Sequence, residues 1–409
     1  MRPSQRQRLR AFSCGQMHDG PAHPVKVFLI AGEPSGDRLG AALMAGFRDL
    51  APDTEFLGVG GPAMQAQGVD SIFPMSDLAV MGIAEVLPKY RTLKRRIQQA
   101  AAAVIASRPD VLVTIDSPDF GLRVQKIVRD RAPEVARVHY VAPSVWAWRP
   151  GRAQKMARTV QHVLAILPFE PPLMRVSGLT CDFVGHPVVA EPRATAADAA
   201  AFRATHGIAT DAPLLLCLPG SRRGEVSRIG PTFQAAIAEL MAAAPDLRVV
   251  IPTVPSVSEL LSDAPDTWPG HPILVEAEDA KRAAFAAADL ALAASGTVSL
   301  ELAANDVPMV IGYDMAPLSR ILIGLLMRTD TVTLVNLVSG TRTIPEFLGK
   351  HLKAEPVAEA LAQLLTDKVA RAAQVDAMNL TMERLGRGQE PPGRRAAQSV
   401  IDAVARLRG

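Results

Sequence analysis

The sequence predicts an α/β protein built from two doubly wound halves that face one another across a cleft. From Val25 onward, apolar runs typical of buried parallel strands alternate with helical patterns. The alternation is interrupted once, by a proline-rich segment near 186–195, and then resumes. A length of 409 residues also favours two domains over one. Ligands of such folds bind at the carboxyl ends of the strands, so the residues that follow each strand are candidates for function.

The first half is expected at 25–188, after a polar extension at 1–24, and most of its strands alternate with helices. Its strands are predicted at VKVFLIAG, TEFLGVGG, DVLVTID, RVHYVAP, HVLAILP and CDFVG. Its helices are predicted from about Asp37 to Leu50, from about Lys89 to Ser107, from about Gly121, and over GRAQKMARTV. This order is typical of βαβ units around a parallel sheet.

The second half is expected at 189–350, followed by a region of helices only at 351–409. Its strands are predicted at APLLLCLPG, LRVVIP, HPILVE, LALAAS and PMVIGYD. Its helices are predicted over 231–244, 279–287 and 296–304. The two halves therefore share one architecture.

The composition is that of a globular protein, with 48% hydrophobic and 21% charged residues. A net charge of +3, without a zinc spacing or an RNA-binding aromatic signature, argues against a nucleic-acid partner. The pI near 8.8 leaves an anionic membrane surface open. The three cysteines, Cys14, Cys181 and Cys217, are odd in number and widely spaced, which indicates a reducing compartment; Cys181 and Cys217 are expected to be core residues. No apolar run approaches the ~18 residues of a spanning helix.

The stretch LPGSRRGEV places Gly220, Ser221 and Arg222 directly after a predicted strand. A glycine turn lets backbone N–H groups approach an oxyanion, and an arginine adds a permanent, forked charge. We therefore expect a phosphate site here. The alternative is a surface arginine that pairs with Glu225.

A second turn of this kind lies in AASGTVSLELAA, where Ser295, Gly296 and Thr297 follow a strand. Such residues can bind a pyrophosphate or cap the helix that follows, and the two roles are compatible. Glu301, one turn into that helix, could accept hydrogen bonds from two ribose hydroxyls.

The stretch TIDSPDFG places Asp116 at the end of a buried strand, where a carboxylate could take a proton from a substrate hydroxyl. Asp119 is close in sequence and is expected to be structural. The alternative for either residue is a helix cap or a turn former.

Two further turns of the first half are candidates for contacts with an acceptor. IAGEPSGD, with Glu33 and Ser35, fits neither a P-loop nor a dinucleotide fingerprint, and could simply begin a helix. HYVAPSVWAWRPGR offers Ser144 and Trp146, followed by Trp148, Arg149 and Arg152. Aromatic rings beside arginines suit sugars or phosphate, and suit core packing equally.

The segment at 78–98 couples an apolar stretch to a basic one, a pattern that fits contact with an anionic membrane surface. The alternative is a solvated helix face. The expected membrane contacts are Val80, Met81, Ile83, Val86, Leu87, Lys89, Arg91, Lys94, Arg95 and Arg96.

Eight stretches in this order resemble the motifs of bacterial lipid-A-disaccharide synthases: AGEPSGD, LAVMGIAEVL, IDSPDF, HYVAPSVWAWR, LPFE, GHP, LPGSRRGEV and ASGTVSLE. The resemblance covers about residues 25–366. It implies a GT-B glycosyltransferase with two Rossmann-like domains. It also implies a peripheral enzyme at the cytoplasmic face of the inner membrane of a Gram-negative bacterium.

The implied reaction joins UDP-2,3-diacylglucosamine to 2,3-diacylglucosamine 1-phosphate (lipid X), and gives a β-1,6-linked disaccharide 1-phosphate and UDP. The chain has no DxD motif, so we expect no metal ion and no cofactor, with the leaving phosphate neutralised by arginine and helix dipoles. A homodimer through the C-terminal helices is a further expectation.

Carried over by the resemblance, the essential aspartate falls on Asp116 and the essential arginine on Arg222. The UDP-binding turn falls on 295–297, with Glu301 behind it, and Asn336 matches an asparagine near the nucleotide. The chain departs from the family pattern at Gly121, where asparagine is usual, and at Gly349, where glutamine is usual.

Two other classes of protein remain as alternatives. UDP-sugar 2-epimerases share the architecture, but they need acid and base groups near the sugar C2 and no lipid-contact patch. A lipid-binding scaffold protein would explain the segment at 78–98, but it would give no function to Arg222 or to the turn at 295–297.

Overall fold

The structure, a computed structural model, describes residues 25–78, 83–147, 151–315 and 329–408, with the backbone alone for 83–90. It contains two six-stranded sheets, and all strand pairs in both are parallel. The predicted α/β architecture with two doubly wound halves is confirmed.

The first sheet has the order β2-β1-β3-β4-β5-β6. Its strands are β1 (Lys26–Ala31), β2 (Glu55–Val59), β3 (Val111–Ile115), β4 (Ala136–Tyr140), β5 (His162–Ala165) and β6 (Thr180–Phe183). The helices beside it are α1 (Pro34–Leu50), α2 (Pro62–Ala66), α3 (Ile83–Ser107), α4 (Pro118–Arg131), α5 (Gly151–Ala157) and α6 (Glu170–Arg175). Because β1 lies between β2 and β3, the winding reverses there, and a crevice opens at the carboxyl ends of β1 and β3.

The second sheet has the order β12-β11-β10-β7-β8-β9. Its strands are β7 (Leu214–Leu218), β8 (Arg248–Pro252), β9 (Ile273–Val275), β10 (Leu290–Ala294), β11 (Met309–Tyr313) and β12 (Glu346–Leu348). Its helices are α7 (Ala196–Thr205), α8 (Arg223–Ala243), α9 (Pro255–Leu261), α10 (Ala264–Thr267), α11 (Glu278–Ala287), α12 (Val298–Ala304) and α13 (Leu334–Ser339). The winding reverses between β7 and β10, so the second crevice opens at their carboxyl ends.

Several helices begin earlier than the sequence predicts. α1 begins at Pro34 instead of Asp37, and α4 begins at Pro118 instead of Gly121. Proline is favourable in the first turn of a helix, where its missing N–H would have no partner. α3 begins at Ile83, and α8 begins at Arg223 and continues through Pro231. Pro231 is exposed, so water can satisfy the carbonyl that loses its partner.

The last region consists of helices, as predicted: α14 (Ala354–Thr366), α15 (Lys368–Arg384) and α16 (Pro392–Arg408). α14 packs on α8, and α15 packs on α12 and α13, so both cover the second sheet. α16 returns to the first half and packs on α1. The sequence pattern shows an amphipathic helix there but does not say which half it covers.

The contact between α1 and α16 requires glycine on both helices. A Cβ added at Gly46 would lie 2.7 Å from the Cα of Arg394, and one added at Gly393 would lie 2.7 Å from the carbonyl carbon of Ala42. Further along α16, the Ser399 hydroxyl donates to Asp182 Oδ2 at 2.8 Å and lies 2.8 Å from His162 Nε2. The last helix is therefore fixed to the first sheet by close packing and by buried polar contacts.

The chain crosses between the halves twice, at 184–195 and at 385–391, and the two crossings are bonded together. The backbone N–H of His186 donates to the carbonyl of Leu385 at 3.1 Å. Arg395 donates to the carbonyl of Phe183 at 2.9 Å and lies over its ring.

Cys181 and Cys217 are buried free thiols, as predicted, whereas Cys14 lies outside the described residues. Burial raises the pKa of the Cys181 thiol to about 12. None of the helices in the described part of the chain has the length and the apolar character needed to cross a bilayer.

Candidate active site

A cavity of about 400 Å³ lies at the second crevice, at the carboxyl ends of β7, β8 and β10. Seven residues predicted from the sequence to bind a nucleotide line it: Gly220, Ser221, Arg222, Ser295, Gly296, Thr297 and Glu301. The parallel sheet brings these distant segments together because adjacent strands end at the same edge.

Arg222 is the residue before α8 and has an extended backbone conformation. Its Nη1 donates to Glu225 Oε1 at 2.7 Å, and its side chain is 64% exposed. The hydrogen bond to Glu225 raises the pKa of the guanidinium above its ordinary value. The ion pair between Arg222 and Glu225, which the sequence left as an alternative to a phosphate site, is therefore present. Both residues line the cavity, so the pair keeps the Arg222 side chain there.

The turn at 295–297 presents backbone and hydroxyl groups at the start of α12. Gly296 has φ +154°, and a Cβ there would meet nothing within 4 Å. Ser295 Oγ donates to the carbonyl of Val332 at 3.4 Å, and the side chain of Thr297 makes no capping hydrogen bond. The side chains of Ser295 and Thr297 therefore do not cap α12, which was the alternative role for them.

Glu301 forms an ion pair that the sequence did not predict. Lys281 Nζ lies 2.9 Å from Glu301 Oε2, and both residues line the cavity. Lys281 lies on α11, 20 residues before its partner, and no local spacing in the sequence connects the two.

Thr253 is a second residue that sequence reasoning missed. It follows β8, lines the cavity and is 5% exposed, and its hydroxyl has no hydrogen-bond partner among the described residues.

Asn336 does not line the cavity. It is 1% exposed, and its amide donates to the carbonyl of Ile344 and to Glu346 Oε1, both at 3.0 Å. The Glu346 carboxylate also accepts from the backbone N–H groups of Val332 and Thr333. Asn336 thus supports the segment whose carbonyl accepts from Ser295, and it lies behind the cavity wall.

At the first crevice, Asp116 directly follows β3, as predicted. Its Oδ1 accepts from the backbone N–H of Ser117 at 2.9 Å, and its Oδ2 accepts from Ser35 Oγ at 3.3 Å. Asp116 and Ser117 have φ of +51° and +41°, a left-handed conformation that few non-glycine residues adopt. Asp119 is exposed in the first turn of α4.

Glu33 connects the two crevices electrostatically. Burial, and then the charge of Asp116, raise the pKa of Glu33, whereas the charge of Arg222 lowers it. Glu33 is therefore close enough to interact with the carboxylate of one half and the arginine of the other.

Trp146 is half-buried and packs edge-to-face on Phe169, with ring centroids 5.5 Å apart. This contact agrees with the packing alternative. Ser144 is exposed. Trp148 and Arg149 lie outside the described residues.

The expected membrane contacts divide into four groups. Val80 and Met81 lie outside the described residues, and Ile83, Val86, Leu87 and Lys89 are described only as backbone in the first turns of α3. Arg91, Lys94 and Arg95 are exposed on α3. Arg96 is committed to an ion pair with Asp77 at 2.6 Å and lies over the ring of Phe73.

Both departures from the family pattern have a structural setting. Gly121 is buried in α4, and a Cβ there would lie 2.9 Å from the Cβ of Thr114, so asparagine does not fit this core. Gly349 has φ +56° directly after β12, a conformation that favours glycine.

No three His, Cys, Asp or Glu side chains in the described ranges are grouped so that they could hold a metal ion.

Comparison with known proteins identifies the family. A family model described as lipid-A-disaccharide synthetase matches residues 27–400. A lipid-A-disaccharide synthase of Ruegeria pomeroyi is 59% identical over 388 residues, which cover 93% of this chain and 96% of the relative. One of Rhodospirillum centenum is 47% identical over 384 residues, with 94% and 96% covered.

Solved structures share the fold at low identity. The UDP-GlcNAc 2-epimerase of Neisseria meningitidis, bound to UDP-GlcNAc, is 12% identical with a TM-score of 0.61, and 94% of this chain and 100% of that one are covered. The calicheamicin glycosyltransferase CalG4 is 13% identical with a TM-score of 0.57, again with 94% and 100% covered. These neighbours show the two-sheet GT-B-like fold, and the sequence matches show the family. The chain belongs to the lipid-A-disaccharide synthetase family, whose members are glycosyltransferases.

Proposed function

We propose that this chain joins UDP-2,3-diacylglucosamine to 2,3-diacylglucosamine 1-phosphate, and releases UDP and the β-1,6-linked disaccharide 1-phosphate. One observation carries the proposal beyond family membership. Burial, and then the charge of Asp116 at the carboxyl end of β3, raise the pKa of Glu33, and the charge of Arg222, at the carboxyl end of β7, lowers it. An acceptor held by one half and a donor held by the other would therefore meet there. In this proposal the halves are domains at 25–188 and 189–350.

UDP would occupy the 400 Å³ cavity. The turn at 295–297 would contact the diphosphate with its backbone N–H groups, and Glu301 would accept from the ribose. Arg222 would exchange its bond with Glu225 for the phosphate that leaves, where a charge-assisted bond is strongest. Because negative charge grows on that phosphate during the reaction, Arg222 would stabilise the transition state more than the bound substrate.

Asp116 would act as the general base. Its two hydrogen bonds, from the Ser117 backbone N–H and from Ser35 Oγ, fix the orientation of the carboxylate. The acceptor 6-hydroxyl gives its proton to Asp116 while its oxygen forms a bond to the anomeric carbon. The bond from that carbon to the phosphate oxygen breaks on the opposite face, so the α-linked donor gives a β-linked product by inversion.

The acceptor side includes Glu33, Ser35 and Ser144. In the free protein Ser35 already donates to Asp116, so its hydroxyl can carry a hydrogen bond between acceptor and base. Asn336 would act indirectly, through the segment that touches Ser295. Trp146 would support the acceptor side by its packing on Phe169.

A membrane surface would bring both lipid substrates to the cleft. The cations that stand exposed on α3 are Arg91, Lys94 and Arg95, directly after the apolar stretch at 78–88. We propose peripheral binding through this segment at the cytoplasmic face of the inner membrane. Replacing the three cations by glutamine should weaken binding to phosphatidylglycerol vesicles. The matched control neutralises three exposed lysines outside the first half, Lys350, Lys353 and Lys368, and should bind as the wild type does.

The principal test is a detergent-micelle assay with radiolabelled lipid X and UDP-2,3-diacylglucosamine. Wild type should form the disaccharide. Asp116→Ala should lose about 10²–10⁴-fold in kcat and keep UDP affinity, as expected for a lost general base. Arg222→Ala should lower both kcat and the affinity for UDP. Asp119→Ala, which removes the exposed neighbouring carboxylate, is the control and should retain activity.

Three results would contradict the proposal. Near-full turnover by Asp116→Ala would remove the base assignment. No disaccharide from a folded, UDP-binding wild type would favour an epimerase, which the shared fold of UDP-GlcNAc 2-epimerases makes the second candidate. Failure of wild type to bind UDP would favour a lipid-binding scaffold.

A further inference from the structure

Lys281 is the cation closest to the carboxylate that we assign to the ribose. Its ammonium lies 2.9 Å from Glu301 Oε2, and the side chains are 22% and 30% exposed. The two residues come from different helices, α11 and α12, so their ion pair joins these helices at the cavity wall. A pair at this depth is less screened by solvent than a surface pair.

The same two residues also line a neighbouring cavity of about 350 Å³. Glu191, from the crossing between the halves, and Glu278 line this second cavity as well. The charges of Glu301 and Glu278 raise the pKa of Glu191 after burial, whereas those of Arg38 and Lys281 lower it. Without Lys281, Glu301 would lose its ion-pair partner beside a site that must accept an anionic ligand.

We propose that Lys281 is a positioning residue for nucleotide recognition, which rests on the proposed function. It occupies Oε2 of Glu301 and thereby turns Oε1 to the two ribose hydroxyls of UDP. A carboxylate has about four lone-pair positions, so one bond from lysine leaves enough acceptors for a diol. The ammonium also offsets the negative charge of Glu301, which otherwise repels the diphosphate bound nearby.

The proposal predicts a specific dependence on the ribose hydroxyls. Calorimetry compares UDP with 2′,3′-dideoxy-UDP on wild type, Lys281→Met and Glu301→Gln. Hydrogen bonds to a charged group contribute about 1.5–3 kcal/mol, so wild type should bind UDP roughly 10- to 150-fold more tightly than the dideoxy analogue. In Lys281→Met this ratio should fall to a few-fold, because Glu301 is no longer oriented.

Three further variants separate positioning from a general effect. Arg282→Met is the matched control: Arg282 is the next residue of α11 and lines only the second cavity, so the ratio should stay at the wild-type value. Lys281→Arg should restore most of the ratio. In the Glu301→Gln background, Lys281→Met should leave the ratio unchanged.

The outcomes distinguish this inference from the proposed function. If Lys281→Met weakens both ligands by the same factor, Lys281 acts only through general charge or stability, and positioning is wrong while the Glu301 assignment stands. If wild type binds both ligands equally, the ribose role of Glu301 fails, and that of Lys281 fails with it. If wild type binds no UDP, the proposed function itself fails. If Lys281→Met does not fold, Lys281→Ala takes its place, and a wild-type ratio in that variant overturns the positioning role.

Discussion

Gly46→Ala should detach the last helix from the first half. Gly46 lies on α1 where α16 approaches most closely, and the added Cβ would lie 2.7 Å from the Cα of Arg394. Carbon atoms in contact normally stand about 3.5–4.0 Å apart, so the helices must separate by roughly 1 Å. The atoms that the added Cβ would meet are the Arg394 Cα and the carbonyl group of Gly393. Both belong to the backbone, which cannot rotate away as a side chain can.

The loss follows from what α16 buries on that side. Its contact face includes Ala396, Ala397, Val400 and Ala403, all at most 1% exposed. A gap of 0.5–1 Å forfeits a quarter to a half of each dispersion contact, and overpacked cores typically lose 1–3 kcal/mol. We expect about 2–3 kcal/mol, which raises the undocked population of α16 roughly 30- to 150-fold.

Hydrogen exchange of the α16 amides, followed by mass spectrometry, measures that population directly. Gly224→Ala is the matched control, because Gly224 also lies in a helix and a Cβ there meets nothing within 4 Å. It should leave α16 protected and raise stability slightly through helix propensity. If α16 in Gly46→Ala exchanges within threefold of the wild-type rate, close packing at this glycine does not hold the tail.

Three further predictions concern stability. Thr253→Val removes a buried hydroxyl without a partner among the described residues, so calorimetry should show an unchanged or higher Tm; a loss above about 1 kcal/mol would mean that the hydroxyl is satisfied. Burial lowers the pKa of His139, His162 and His186 from 6.5 to about 4, so each stays neutral when folded and binds a proton when unfolded. Their contribution to the free energy of unfolding is full above pH 6.5 and falls toward pH 4, by up to about 1.4 kcal/mol per pH unit for each histidine. Urea unfolding should therefore show a lower stability at pH 5 than at pH 7.5. Equal stabilities at the two pH values would refute the assignment. Gly121→Asn should destabilise the first half by about 1–3 kcal/mol because the site is filled, and an unchanged Tm would contradict this.

The sequence predicted best where function depends on backbone position. Gly220, Arg222 and the turn at 295–297 follow buried strands directly, and parallel strands end at one edge, so their convergence could be inferred without side-chain geometry. Asp116 was found in the same way.

Contacts between helices could not be predicted so well. Nothing near Lys281 in sequence indicates Glu301 as its partner, since packing of α11 against α12 decides that contact. Asn336 was placed near the nucleotide by resemblance, whereas its burial and hydrogen bonds place it behind the wall. The three-residue strand β12 is too short to leave a periodic signal.

The paired crossings between the halves set how the cleft can move. With a single connecting segment, one half could rotate about three axes relative to the other. We expect two crossings that are hydrogen-bonded to each other through His186 and Leu385 to limit rotation mainly to one axis, as a hinge does. Opening of the cleft would then be described by one rotation angle. A single distance, between a fluorophore on each side of the cleft, would report the whole motion. The path along which a sugar carried by one lip approaches a sugar carried by the other is set by the axis of that hinge.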